Sequence, residues 1–139
     1  MEIEYAFLAR AADASPDGTL SVLGAGFDVV RSRNFPKSFP FTVVTKLKGV
    51  ADKTRSMTLE FDAFGQDGQS ILEAPYVLTT EMSRRLPSTS SVPEDGVNVL
   101  LGLADFSVPT PGVYRLVLTL TGENAVSRDF RLTAEEVQD

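Results

Sequence analysis

Cysteine, histidine and tryptophan are all absent from this chain of 139 residues. Without cysteine the chain can form neither disulfides nor thiolate ligands, and without both cysteine and histidine a zinc site of the usual type is excluded. The absence of histidine also removes the commonest general base and the commonest transition-metal ligand. The composition therefore predicts a non-enzymatic protein with no cofactor and no metal, suited to a reducing compartment.

Basic residues are outnumbered, with 13 Lys and Arg against 19 Asp and Glu and a net charge of −6. Such a surface repels phosphate groups, so we expect no nucleic-acid partner and no membrane partner. No apolar run approaches the roughly 20 residues of a membrane span. The first residues lack the basic start and apolar stretch of a secretory signal. We therefore expect a soluble, cytoplasmic protein.

A β-prone run, a tight turn containing glycine and a second β-prone run occur together three times. The turns lie at 15–18, 66–69 and 121–124. This pattern predicts antiparallel hairpins. With the remaining runs, about eight or nine strands predict an all-β, antiparallel, immunoglobulin-like β-sandwich, with a closed barrel as the alternative. We expect one domain over residues 1–132 and a frayed tail over 133–139, where a capping box has too little chain for a helix.

Alternation within single strands predicts which side chains form the core. From Met57 to Ala63, every second residue is apolar and the three residues between them are polar. This is typical of a strand with one buried and one solvated face.

Residues 2–12 fit either a strand or a helix, and the turn that follows favours a strand. Segment 83–96 is predicted to be a mobile loop. The expected core residues are Met57, Leu59, Phe61, Leu116, Leu118 and Leu120.

Residues 35–41 combine three phenylalanines with two prolines. Since proline interrupts strand pairing, the pattern predicts a loop or a change of sheet. Loops are usually polar, so an aromatic loop has to be covered. It either plugs an open end of the sandwich or binds a partner protein or a second copy of the chain. The candidate interaction residues are Phe35, Pro36, Phe39, Pro40 and Phe41.

A second candidate is Asp28, the one acidic residue in an otherwise apolar stretch. It follows Gly24 and Gly26, but a phosphate-binding loop needs a helix after its glycines, and the residues here are strand-like. The glycines therefore predict a bulge or a bend. Asp28 either orients a ligand or a cation, or caps that bend, or pairs with Arg31 or Arg33.

Two blocks are more specific than generic β sequence. One is Gly24-Ala25-Gly26-Phe27-Asp28, within residues 4–41, and the other is Pro111-Gly112-Val113-Tyr114-Arg115, within 108–123. Together they resemble a bacterial family of small proteins known only as a domain of unknown function. The resemblance implies a β-sandwich and carries over no catalytic residues. The second block is shared by many immunoglobulin-like sandwiches, in which a tyrosine at this place buries its ring and bonds nearby backbone.

Three functions fit this sequence. The leading hypothesis is a non-enzymatic protein that acts through protein contacts, with an unidentified partner or as a homo-oligomer. The alternative is a small-ligand module that binds a carbohydrate or a Ca²⁺-assisted ligand, with Asp13/Asp17 or Glu94/Asp95 as acidic candidates. The third is a hydrolase that uses the carboxylates of Glu60 and Asp62, which lie on one face of a strand.

Overall fold

In the computed structural model, the described residues are 2–17, 19–48, 55–82, 97–122 and 125–138. They form strands and turns, and none of them belongs to a helix that could cross a membrane. The ten strands are β1 (Glu2–Ala9), β2 (Ala11–Ala14), β3 (Leu20–Leu23), β4 (Val29–Ser32), β5 (Lys37–Lys48), β6 (Arg55–Phe64), β7 (Tyr76–Met82), β8 (Val97–Val108), β9 (Gly112–Thr121) and β10 (Ala125–Glu136).

Two sheets pack face to face and confirm the β-sandwich. One has three strands in the order β1-β5-β8, and the other has five in the order β4-β10-β9-β6-β7. Side chains from both sheets share one core, in which the ring of Phe41 on β5 lies 5.9 Å from the ring of Phe61 on β6. The short strands β2 and β3 form a separate two-stranded sheet. Pairing is antiparallel throughout the described strands except between β4 and β10.

The local predictions are confirmed. Residues 2–9 and 11–14 are strands, separated by a bend at Arg10. The strands on either side of each predicted turn pair antiparallel, β2 with β3, β6 with β7 and β9 with β10. Residues 18, 123 and 124 of these turns lie outside the described residues. All six expected core residues on β6 and β9 are buried, and Glu60, which lies between two of them, is exposed. The predicted mobile loop at 83–96 lies outside the described residues.

The prediction of a frayed tail from residue 133 is wrong for residues 133–136, because β10 continues to Glu136. Its last four residues pair in parallel with β4, from Thr133 opposite Val29 to Glu136 opposite Ser32. The Thr133 amide donates a hydrogen bond of 2.8 Å to the backbone oxygen of Asp28. These ladder contacts satisfy the backbone that a frayed end would leave to water.

The prediction of a loop at residues 35–41 is also wrong, because β5 begins at Lys37 and includes Pro40. The pairing of β5 with β8 shifts between Phe39 and Phe41, which lie opposite Phe106 and Leu103. The extra residue on β8 is a bulge, and Pro40 stands at this irregular point of the ladder. A proline that cannot donate a hydrogen bond is tolerated at a bulge.

Candidate functional site

A groove with a volume of about 690 Å³ lies at one end of the five-stranded sheet. We call it the end groove. It forms where the turn between β6 and β7 meets the start of β9 and the middle of β10. Its lining residues are Phe64, Gly65, Gln66, Gly68, Val113, Tyr114, Arg115, Asp129, Phe130 and Arg131.

Three of these side chains form a row across neighbouring strands. Phe64 on β6 lies opposite Arg115 on β9, and Arg115 lies opposite Arg131 on β10. Successive side chains on a strand point to opposite faces of the sheet. Because Ala63 and Leu116, the neighbours of Phe64 and Arg115, are buried in the core, the row lies on the outer face.

The turn between β6 and β7 is held by its own hydrogen bonds. The Gly65 amide donates to the Gln69 carbonyl at 3.0 Å, and the Gly68 amide donates to the Gly65 carbonyl at 3.0 Å. The Gln69 amide also donates to the side chain of Asp67 at 3.0 Å. This turn therefore gives the end groove a preorganised wall rather than a free loop.

The charges in the end groove are unevenly paired. Arg115 Nη1 lies 3.5 Å from Asp129 Oδ2, and its guanidinium carbon lies 5.1 Å from the centre of the Phe64 ring. These contacts hold Arg115 in place on the wall of the groove. Arg131 is exposed and has no ion-pair partner among the residues that the structure describes. Within that part of the chain, the groove thus contains one engaged and one free cation.

Tyr114 has the structural role that its position predicted. Its ring is buried, and its hydroxyl donates a hydrogen bond of 2.5 Å to the Thr110 carbonyl. The same hydroxyl accepts a bond of 3.3 Å from the Thr110 amide. This bonding fixes the turn before β9. That turn lines a smaller cleft of about 300 Å³, which shares Gly65 and Gln66 with the end groove.

Asp28 lies outside the end groove. It is exposed and immediately precedes β4, after a bend in which Gly24 and Gly26 have φ angles of 66° and 75°. The bend agrees with the prediction, because left-handed backbone of this kind favours glycine. Arg31, a partner considered for Asp28, instead bonds Glu135 at 3.0 Å.

The predicted carboxylate pair also lies outside the end groove, on the outer face of β6. Glu60 is exposed, while Asp62 Oδ1 accepts hydrogen bonds from Ser70 Oγ at 2.6 Å and from the Ala63 amide at 2.8 Å. Asp17 Oδ1 is occupied within its own turn, where the Thr19 hydroxyl and amide donate to it. No group of three or more acidic side chains suited to a metal ion occurs in the described parts of the chain. Glu94 and Asp95 lie outside them.

The aromatic side chains of residues 35–41 face the core. Phe41 is buried, and Phe35 and Phe39 are partly buried against the same core. Phe39 contacts three other rings, at centroid distances of 5.6 Å to Phe106, 5.7 Å to Phe41 and 6.3 Å to Phe27. Pro36 and Pro40 are exposed. The segment therefore fills space between the sheets and presents little aromatic surface.

Phe64, Arg115 and Arg131 were not predicted from the sequence as members of one site. A usable signal was present in the hairpin of β9 and β10. In that hairpin Ala125 lies opposite Thr121, and counting outward from that pair brings Arg115 opposite Arg131. The outward position of both residues follows from the apolar alternation of β9.

Comparison with known proteins places the chain in a family. Residues 4–133 match the family model described as a family of unknown function, DUF6941. The chain belongs to this family. Its predicted membership of a domain-of-unknown-function family is thereby confirmed. No curated protein matches the chain.

Among solved structures, the chain is similar to part of a protein described as a "putative beta-galactosidase from bacteroides fragilis". The two share 20% sequence identity at a TM-score of 0.46. The match covers 68% of this chain and 14% of the other, so the chain spans a small part of that protein's length.

Proposed function

We propose that the protein is a non-enzymatic binding module whose ligand occupies the end groove. One observation supports this most directly: a groove of about 690 Å³ joins the apolar side chains of Phe64 and Val113 to the exposed guanidinium of Arg131. Small-molecule sites in proteins are typically about 300–1,000 Å³, mostly apolar, with a few polar groups that orient the ligand. The end groove has this size and this composition.

The positions of the carboxylates favour binding over hydrolysis. Glycoside hydrolysis needs two carboxyl groups on either side of the bond that is cleaved. The described lining of the end groove contains one carboxylate, Asp129, and it is paired with Arg115. Glu60 and Asp62 lie on the open sheet face, and a hydrogen bond from Ser70 already engages Asp62.

The aromatic wall is a poor platform for a sugar. Carbohydrate modules stack a sugar ring on an open aromatic face, and in this groove the guanidinium of Arg115 lies over the Phe64 ring at 5.1 Å. A sugar would have to displace that cation and break its contact with Asp129 at 3.5 Å. A ligand that approaches Arg131 instead meets no such competition from the described residues.

Amide NMR spectra recorded during titration with galactose, Ca²⁺, sodium benzoate and inorganic phosphate would test the proposal. We expect at least one probe to shift the amide signals of residues 64–68, 113–115 and 129–131 together. Failure of every probe to perturb these residues would contradict the proposal. Release of nitrophenol from nitrophenyl glycosides, abolished by Glu60→Gln or Asp62→Asn, would replace it with the hydrolase hypothesis.

Self-association is a second candidate function, and strand β3 favours it. Leu23 is 68% exposed and Val22 is 37% exposed, although both are large apolar residues. Among the described strands, β3 pairs only with β2, and a free strand edge can pair with a second chain. Two copies would join their β3 strands antiparallel. Light scattering should then give a molar mass above 15.1 kDa that falls to this value in Leu23→Lys. A monomeric parent protein would eliminate this candidate.

A further inference from the structure

We infer that the end groove binds an oxyanion, a carboxylate or a phosphate group, carried on an apolar body, with Arg131 binding the charge. The inference rests on the proposed function and adds the chemical class of the ligand.

The first argument is the charge pattern across paired strands. Elsewhere in the described sheets, directly opposed ionic residues have opposite charges: Glu2 faces Lys48 and Arg31 faces Glu135. Both of those pairs form ion pairs, at 3.4 Å and 3.0 Å. In the end groove, Arg115 faces Arg131 instead. Like charges at directly opposed positions destabilise a sheet, because their Cβ atoms lie only about 4.5–5.5 Å apart.

The second argument is how the two guanidinium groups are engaged. Arg115 is held by Asp129 and by the ring of Phe64. Arg131 has no such partner in the described residues, and both arginines line the same groove. A guanidinium presents five donors in a planar fork that matches the two oxygens of a carboxylate or a phosphate. An oxyanion in the groove would neutralise Arg131 and relieve its repulsion with Arg115.

The third argument concerns the rest of the ligand. The apolar residues Val113 and Phe130 also line the groove beside the two arginines. Apolar surface in water is unfavourable, and a ligand gains affinity by covering it. A bare inorganic ion would leave this surface exposed. The groove therefore fits an acid that carries an apolar group, such as an aromatic carboxylate.

Calorimetric and NMR titration with sodium benzoate at low ionic strength tests the inference, with benzamide as the neutral probe of the same shape. We expect benzoate to bind at the end groove at least tenfold more tightly than benzamide. Arg131→Gln should weaken benzoate binding by about 10- to 100-fold, the range expected for loss of a charge-assisted hydrogen bond. Arg131→Lys should bind benzoate with intermediate affinity, since it keeps the charge and loses the fork.

Arg31→Gln is the matched control. It removes one surface arginine from the same sheet, and Arg31 does not line the end groove. We expect this control to change benzoate affinity less than twofold. Arg131→Gln should also leave the melting temperature unchanged or raise it, because it removes a repulsion between like charges. A fall of more than about 5 °C, roughly 1.5 kcal/mol for a domain of this size, would show a structural role for Arg131 and overturn the inference.

The remaining outcomes separate the inference from the proposed function. Equal affinity for benzoate and benzamide in the end groove, unaffected by Arg131→Gln, would overturn the inference and leave the binding module intact. No binding of any probe in the groove would contradict both. Titration with inorganic phosphate tests the apolar part of the ligand separately. Phosphate that binds at least tenfold more weakly than benzoate would support the inference that the ligand carries an apolar group. Phosphate binding as tight as that of benzoate would overturn that part of the inference.

Discussion

Replacing Phe61 by alanine tests the sandwich core most directly. Phe61 is fully buried on β6, and its ring centre lies 5.9 Å from that of Phe41 and 6.4 Å from that of Phe106. Phe41 and Phe106 belong to the opposite sheet, so the ring stands where the two sheets meet. Phe61→Ala removes these contacts and leaves a cavity, and such changes lower the free energy of unfolding by about 3–5 kcal/mol.

The change in stability converts to a measurable change in melting temperature. The entropy of unfolding is about 2.1 cal/mol/K per residue, which gives roughly 0.29 kcal/mol/K for 139 residues. Phe61→Ala should therefore lower the melting temperature by about 10–17 °C, measured by circular dichroism and checked by urea unfolding. The neighbouring exposed residue supplies the control: Glu60→Ala should stay within about 0.5 kcal/mol, or about 2 °C. Equal losses in the two variants would show that the faces of β6 are assigned wrongly.

Three further changes probe other parts of the fold. Phe39→Ser should lower stability by about 3 kcal/mol without changing the molar mass in light scattering, because the ring packs in the core; an unchanged stability with a smaller assembly would contradict this. Tyr114→Phe should cost about 1 kcal/mol in urea unfolding, since the hydroxyl bonds to Thr110 are lost, and no change would show that water replaces them fully. The pKa of Asp17 is lowered from its ordinary value of about 3.8, mainly by the hydrogen bond from the Thr19 hydroxyl and also by the one from the Thr19 amide. A carboxyl group whose pKa is lowered by folding stabilises the fold at pH values above its unfolded pKa, and this stabilisation is lost as the pH falls through the lowered pKa. The parent should therefore melt at a higher temperature than Asp17→Asn near neutral pH, and the difference should vanish in acid. A difference that persists in acid would contradict this.

Local features of the sequence were sufficient for most of the fold. The turns with glycine connect strands that are close in the chain, and period-two alternation on β6 identifies its buried face. Both signals lie within about ten residues, the range over which turn chemistry and pleating act. The all-β class, the hairpins and the core of β6 and β9 could therefore be predicted without knowledge of distant contacts.

The two wrong predictions about the fold, the frayed tail and the loop at residues 35–41, concern segments whose structure depends on distant parts of the chain. The end of β10 is ordered by β4, and the bond between Arg31 and Glu135 joins residues 104 positions apart. Pro40 lies within a strand because β8 has a bulge opposite it. Neither partner is visible in the sequence around the affected residue. Local rules register the short tail and the proline, but whether each segment forms a strand depends on a partner strand far away in the sequence.

The end groove escaped prediction for a different reason. Each of its residues has an ordinary local interpretation, since an arginine on the outer face of a strand is typical of a solvated surface. Only the register of β9 against β10 brings Arg115 and Arg131 to the same point. Phe64 joins them through the separate pairing of β6 with β9. The site is thus a property of three paired strands and of no single motif.

The packing of the core explains how two arginines can be held opposite each other. Tyr114 and Leu116 on β9, and Leu132 on β10, are buried on the inner face. A slip of one residue in the pairing would move such side chains to the outer face and bring a charged neighbour inward, which is far costlier than a surface repulsion. Burial of the core side chains therefore fixes the register of β9 against β10. The repulsion between Arg115 and Arg131 destabilises the sheet much less than a change of register would. We therefore expect a neutral residue at position 131 to remove that repulsion without disturbing the core, which is the stability result predicted for Arg131→Gln.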